Sequence, residues 1–238
     1  MPYGFYDKPR VIELPHPPVA LAVFLTVEAA MLAAWNILRV RRRPGFDLSN
    51  ADEDIVTQEL YEVLSDQVFD KGVVGGFDRE LFTDINRESK FRSYNYAHLD
   101  KMPDLNIGLV GRQAFYPSQD RIFMECKPVD STHTVGKHYC GMGIFRFVRG
   151  EYAWTMTSVL MIGYVREDYR IVPKLTDALK RVSHEISTIG DPYQCSKSEA
   201  SLISEAVYIS HHARRFEYVE TRLAAPDITI RHLWLRRD

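Results

Sequence analysis

The sequence lacks the features that would assign it to several specialised classes of protein. It has three cysteines, Cys126, Cys140 and Cys195, and they form neither a disulfide framework nor a paired Cys-x-x-Cys zinc motif. This usage favours a reducing, cytoplasmic setting. The formal net charge is only -2, so nucleic-acid binding would require a local basic surface.

Other signatures of function are absent as well. There is no internal repeat, no low-complexity segment, no Gly-rich phosphate loop and no Ser nucleophile elbow. His133, His138 and Cys140 do not have zinc-ligand spacing, and a fourth ligand is not evident. With 45% hydrophobic and 26% charged residues, the chain has ordinary globular composition, and its length suits one large domain or two small ones.

One apolar run, residues 19–38, is long enough to span a membrane and is followed by the basic sequence RVRRR. Glu28 lies near its centre, where a carboxylate costs about 2.5 kcal/mol or more in a bilayer. The favoured interpretation is a buried or partner-binding helix, and the alternative is a membrane anchor. We therefore divide the chain into an N-terminal arm with an apolar helix, residues 1–44, and a main domain, residues 45–238.

The rest of the chain alternates between helix and strand patterns. Residues 47–69 predict a helix that Ser49 or Asn50 caps, with acidic residues in its first turn. Further helices are predicted near 135–147 and 172–188, and strands within 104–110, 121–129, 152–165, 205–218 and 227–235. This order predicts an α/β fold, with a mixed central sheet flanked by helices.

The first two predicted strands carry charges that strands entering a core rarely accept. Paired as an antiparallel hairpin, they place Asp104 opposite Lys127 and Asn106 opposite Glu125, with neighbours about 5 Å apart. Close carboxylates repel unless a cation joins them, and Mg²⁺ prefers such oxygen ligands. A lysine there can position water and offset charge at phosphorus. The pattern predicts hydrolysis of phosphodiester bonds.

These residues, Pro103-Asp104 followed by Glu125-Cys126-Lys127, resemble the PD-(D/E)xK nuclease superfamily with its restriction-endonuclease-like fold. The resemblance covers roughly residues 52–165. It implies a Mg²⁺-dependent nuclease, with Mn²⁺ as a substitute, in which Asp104 and Glu125 bind the metal and Lys127 is the catalytic lysine. The implied substrate is DNA, with RNA left open, and the implied settings are restriction, phage defence and repair.

Many members of this superfamily also place an acidic residue on the first core helix. Glu53 fits that position best, and Glu59 is the alternative. The resemblance further implies a homodimer or a subunit of a larger complex. The competing hypothesis is a catalytically silent nuclease-fold subunit that binds nucleic acid or assembles a complex.

Basic residues near the motif are candidates for binding nucleic acid. Arg87, Lys90 and Arg92 lie in a stretch rich in aromatic residues, and Lys137 lies on the helix that follows the motif. Solvated loop residues would show the same pattern. A second basic cluster, residues 211–215, allows either a contact to a DNA backbone or simple solvation of a strand end.

Overall fold

The computed structural model describes residues 12–41, 43–190, 193–194 and 207–237. Four α-helices occur in these ranges: α1 Leu21–Val40, α2 Glu53–Glu62, α3 Phe145–Val148 and α4 Ile171–Arg181. The strands are β1 Phe82–Arg87, β2 Leu105–Leu109, β3 Arg121–Val129, β4 Ser158–Val165, β5 Tyr193–Gln194, β6 Tyr208–His212 and β7 Ile228–Arg236. Wider π-type turns extend α2 through Val63–Phe69 and precede α3 as Val135–Ile144.

The strands form one open mixed sheet in the order β1-β2-β3-β4-β7-β6-β5. The pairs β3–β4 and β4–β7 are parallel, and the remaining pairs are antiparallel. The predicted α/β class with a mixed sheet is therefore confirmed. Strand β1 was not predicted, because only Phe82 and Ile85 are buried in it and a pairing irregularity separates them.

Two hydrophobic cores cover the two faces of the sheet. The alternation in β2 and β3 sends Leu105, Ile107 and Met124 to a core shared with α1 and α2. Phe123, on the opposite face of β3, packs in a second core with the helical residues 135–148 and α4. The face that each strand presents therefore follows the sequence pattern.

Two helix boundaries differ from the prediction. Helix α2 begins after Asp52, whereas Ser49 and Asn50 form a turn in which both residues donate hydrogen bonds to the Asp47 carboxylate. Polar residues followed by acidic ones predict an N-cap. Here the polar groups of Ser49 and Asn50 form their hydrogen bonds within a local turn instead of capping the helix. The last helix, α4, ends at Arg181, short of the predicted residue 188.

Helix α1 is part of the main core, so the proposed division at residue 44 does not separate two cores. Trp35 stacks on Tyr164 of β4 and donates a hydrogen bond of 2.8 Å to the backbone carbonyl of Arg236. By length and composition α1 is apolar enough to cross a membrane, but half of that apolar window is buried in the protein. Its Glu28 is buried and paired with the guanidinium of Arg231 on β7.

We expect Glu28→Ala to destabilise the protein by about 3–5 kcal/mol, because it leaves the buried Arg231 charge without its carboxylate. Urea unfolding measures the loss, and Glu80→Ala, at an exposed position, is the matched control. The double variant Glu28→Met/Arg231→Met should recover much of the stability. Equal stability of Glu28→Ala and the control would contradict this role for the pair.

Part of the second basic cluster is buried. His212 and His232 each lie 2.7 Å through Nε2 from the Ser210 hydroxyl, and His232 Nδ1 is 3.0 Å from the hydroxyl of Tyr139. Arg214 is also buried and donates hydrogen bonds to backbone carbonyls. Solvation of a strand end and contact with a DNA backbone are therefore wrong for His212, which lies within hydrogen-bond distance of Ser210 and Thr188, and for Arg214, which bonds to Pro226 and Trp154.

Because this histidine network is buried, the folding stability of the protein depends on pH. Burial, with a smaller effect of His211, lowers the pKa of His212 to about 3, whereas an unfolded histidine titrates near pH 6.5. The unfolded chain then binds a proton that the native protein does not, so stability is lost as pH falls from about 6.5 toward 3, by about 1.4 kcal/mol per pH unit. Unfolding at several pH values should show a shallower dependence for His212→Gln, whereas the exposed His184→Gln should match wild type. Parallel slopes in all three proteins would contradict it.

Candidate active site

The pairing of β2 with β3 differs from the predicted hairpin register. Leu105 pairs with Met124 and Gly108 with Arg121, so continuing the pairing by one residue sets Asp104 beside Glu125, where Lys127 was predicted. A shift of two residues keeps every side chain on its face. Asp104 also accepts a hydrogen bond of 2.6 Å from the backbone amide of Cys126. The predicted register is wrong, but the predicted convergence is preserved.

The ammonium group of Lys127 lies among oxygen atoms from four residues. Its Nζ is 2.7 Å from Glu53 Oε1, 3.1 Å from Asp104 Oδ2 and 3.1 Å from Glu125 Oε1. It also donates a hydrogen bond of 2.6 Å to the Cys126 carbonyl. We call this group (Glu53, Asp104, Glu125, Lys127 and the Cys126 carbonyl) the lysine cage. The structure thus brings together the four residues predicted as catalytic.

The two candidate helix acids occupy different places on α2. Glu53, in the first turn, reaches Lys127 and keeps 29% of its side-chain exposure. Glu59 instead pairs with Arg41, at 2.8 Å, and with Arg43. Only Glu53 belongs to the lysine cage. Glu59 connects α2 to the segment that follows α1.

Glu125 is held by more partners than the sequence indicated. It is fully buried, its Oε1 lies 3.0 Å from the Arg146 guanidinium, and its Oε2 accepts a hydrogen bond from Tyr152. Arg146 belongs to α3 and keeps 37% of its side-chain exposure. This guanidinium therefore reaches both the buried carboxylate and the solvent at the edge of the lysine cage.

The cage shifts the acidities of its members. Burial, reinforced by the Asp104 charge and opposed by Lys127, raises the pKa of Glu125 to about 7. Burial also raises the pKa of Glu53, although Lys127 opposes it. For Lys127, burial alone lowers the pKa, but Glu125, Asp104 and Glu53 together raise it above its ordinary value. With these carboxylates around it, Lys127 is an ammonium ion.

The donor set of the cage fits a hard divalent cation. It offers the partly exposed carboxylates of Glu53 and Asp104 and one backbone carbonyl, which are oxygen ligands of the kind that Mg²⁺ selects. Among the described residues, no three His, Cys, Asp or Glu side chains form a ready-made metal cluster; here the carboxylates surround an ammonium group instead. Asp104 and Glu53 keep partial exposure, whereas Glu125, predicted as a ligand, already uses both oxygens.

The predicted nucleic-acid residues have different environments. Arg87 donates a hydrogen bond of 2.6 Å to Gln58 and lies 3.8 Å from Asp54, so it borders the turn of α2 that carries Glu53. Arg92 lies between the rings of Tyr96 and Tyr116, with its guanidinium carbon 4.5 and 4.7 Å from their centroids. Lys90 and Lys137 are exposed. Of these four residues, Arg87 is the one with a hydrogen-bond partner on α2, the helix that carries Glu53.

Several contributors to the cage had no signal in the sequence pattern. Arg146 and Tyr152 reach Glu125 from a separate segment, and the Cys126 carbonyl takes part through its backbone. The helical segment lies directly against the cage at Gly143, where a Cβ would lie 2.5 Å from the flexible end of Met161 on β4 and at an ordinary contact distance of 3.5 Å from Lys127 Cγ on β3. In the sequence, an arginine 19 residues beyond the motif lysine is indistinguishable from a surface residue, since only the packing of α3 places it at the cage.

Comparison with known proteins finds no match to this chain. No family model, no curated protein and no solved structure matches the chain.

Proposed function

We propose that this protein is a metal-dependent nuclease of the PD-(D/E)xK type that hydrolyses phosphodiester bonds in DNA. The observation that supports the proposal is the lysine cage, in which three carboxylates from α2, the segment before β2, and β3 surround one ammonium group. Charged side chains such as those of Glu125 and Lys127 are rarely buried unless they are paired, because the desolvation of a charge is costly. The restriction-endonuclease-like fold, and a role in restriction, phage defence or repair, belong to the same proposal.

The chain's own residues have distinct tasks in this proposal. Asp104 and Glu53 hold the divalent cation, with the Cys126 carbonyl as a further oxygen donor and Glu125 as the buried acid behind them. The cation, when bound, supplies charge stabilisation at the phosphate and makes water more acidic. Lys127 orients the attacking water and offsets charge on the phosphate oxygens. Arg146 offers a second positive charge at the edge of the cage.

A second candidate function is a silent nuclease-fold subunit. It is favoured by the close pairing of the Lys127 ammonium with all three carboxylates, which neutralises much of the charge that would attract a cation. A purely structural cage would hold α2 and the two strands together without binding metal. The two proposals differ in whether nucleic acid is cut.

The test is cleavage of plasmid, single-stranded DNA and RNA with Mg²⁺ or Mn²⁺ and with EDTA. We expect metal-dependent cutting by the wild-type protein and a loss of at least about 100-fold in Asp104→Asn, because a neutral amide ligates a hard cation poorly. Asp100→Asn, at an exposed position close in sequence, is the matched control. No cutting of any substrate by folded wild-type protein, together with no metal binding by calorimetry, would reject the nuclease and favour the silent subunit.

A further inference from the structure

A concave surface, separate from the lysine cage, lies beside the connection between α1 and α2. It has a volume of about 790 Å³, and its lining includes four arginines, Arg39, Arg41, Arg43 and Arg237, with Pro44 and Phe46 beside them. We call it the arginine cavity. Its volume falls in the range of about 300–1,000 Å³ that is typical of ligand sites.

Positive charge is in excess in this cavity, although the whole chain has a formal net charge of -2. Among its lining residues, four arginines face one carboxylate, Asp47. Behind them the Glu59 carboxylate is shared between Arg41 and Arg43, and Glu62 lies 3.8 Å from Arg43. Four arginines against the three carboxylates of Asp47, Glu59 and Glu62 leave an excess of one positive charge at this surface, and a local positive excess is what binding of a polyanion requires.

Arg237 forms the buried part of the cavity wall. It is only 4% exposed and donates hydrogen bonds to the backbone carbonyls of Leu48 and Ala51. Burial, followed by the repulsion of Arg166, lowers the pKa of this guanidinium to about 10. The carboxylates of Asp130 and Asp47 oppose this shift, and an anion in the cavity would add negative charge to theirs.

We propose that the arginine cavity binds the phosphate backbone of a nucleic acid strand that extends from the lysine cage. The choice of ligand rests on the proposed nuclease function. Helix α2 connects the two places, because Glu53 belongs to the cage and Glu59 holds Arg41 and Arg43. Six residues of helix span about 9 Å along the axis, which a strand covers in about three nucleotides at 3.4 Å each. Phe46 supplies an aromatic face on which a base can stack.

Nucleic acid is favoured over an anionic membrane surface by the state of α1. A membrane-binding helix needs its apolar face free for lipid. Here that face packs in the protein core, with Trp35 stacked on Tyr164 and Glu28 paired with Arg231. Among the described large apolar residues of α1, Leu21, Leu25 and Val40 stay exposed, and of these only Val40 adjoins the arginines, so they have little apolar surface beside them for a bilayer.

The test compares the triple variant Arg41→Gln/Arg43→Gln/Glu59→Gln with Arg79→Gln. The triple variant removes the arginines together with their shared carboxylate, so no buried charge is left unpaired. Both changes lower the net charge by one, and Arg79 is highly exposed. Binding of a labelled single strand to the full chain is measured by fluorescence anisotropy in EDTA at several salt concentrations, so the readout does not require cleavage.

We expect the triple variant to bind about tenfold more weakly, with a salt slope lower by about one, and Arg79→Gln to resemble wild type. Equal affinity and slope in all three proteins would overturn the proposal. Sedimentation with vesicles of phosphatidylcholine and phosphatidylserine is the second arm. Arginine-dependent vesicle binding with unchanged DNA binding would assign the cavity to lipid and overturn the proposal as well. A protein that cuts DNA but fails this test would lose the cavity proposal alone.

Discussion

Lys127→Met is expected to lower the turnover of metal-dependent cleavage by at least about 100-fold while the protein stays folded. Lys127 supplies the ammonium group that contacts Glu53, Asp104 and Glu125, and removal of a single charge-stabilising donor costs about 100- to 1,000-fold in other active sites. Methionine keeps the length and the apolar stem of the side chain. The turnover number on plasmid DNA, with matched circular dichroism spectra, is the measurement.

The same variant separates a metal site from a structural ion cluster. Without Lys127, three carboxylates repel one another, so the melting temperature should fall in EDTA and rise again when Mn²⁺ is added, because a ligand that binds only the native state stabilises it. Lys71→Met, at an exposed turn, should change neither cleavage nor melting. Wild-type turnover in Lys127→Met would contradict the role given to the ammonium group.

The second large effect is expected for Glu53→Gln. Glu53 contributes its carboxylate to the cage at 2.7 Å from Lys127, so the neutral amide should lower turnover by about 100-fold. Glu59→Gln should behave differently, because Glu59 holds Arg41 and Arg43 and lies outside the cage. The Glu59→Gln change should alter mainly KM and leave the turnover number nearly unchanged, whereas the exposed Glu80→Gln should match wild type in both. A larger loss of turnover in Glu59→Gln than in Glu53→Gln would contradict the assignment.

The parts of the site that could be predicted from the sequence are those that depend on strand alternation. Asp104, Glu125 and Lys127 share a face because side chains alternate along β2 and β3, and an error of two residues in register leaves that face unchanged. Glu53 was chosen because the resemblance implies an acid on the first core helix and because Glu53 faces the apolar stripe of that helix. The apolar spacing determines which side of α2 meets the sheet, although the helix begins later than predicted.

Long-range packing determined the features that pattern reasoning missed. Arg146 and Tyr152 reach Glu125 because the helical residues 135–148 pack across β3. Strand β1 has too few buried residues to be recognised alone, and it forms because β2 offers it an edge. The burial of His212 and Arg214 likewise depends on neighbouring strands and loops, whereas local sequence shows only a basic cluster.

The most direct test of the account is anomalous diffraction from crystals of the protein soaked in Mn²⁺. The account predicts one strong peak within roughly 2–2.6 Å of carboxylate oxygens of Asp104 and Glu53, with the Lys127 ammonium moved from its present position between them. The peak should be lost in Asp104→Asn crystals soaked in the same way. A wild-type crystal without a peak at the cage, at a Mn²⁺ concentration that saturates binding in solution, would contradict the central claim that the lysine cage is a metal-dependent active site.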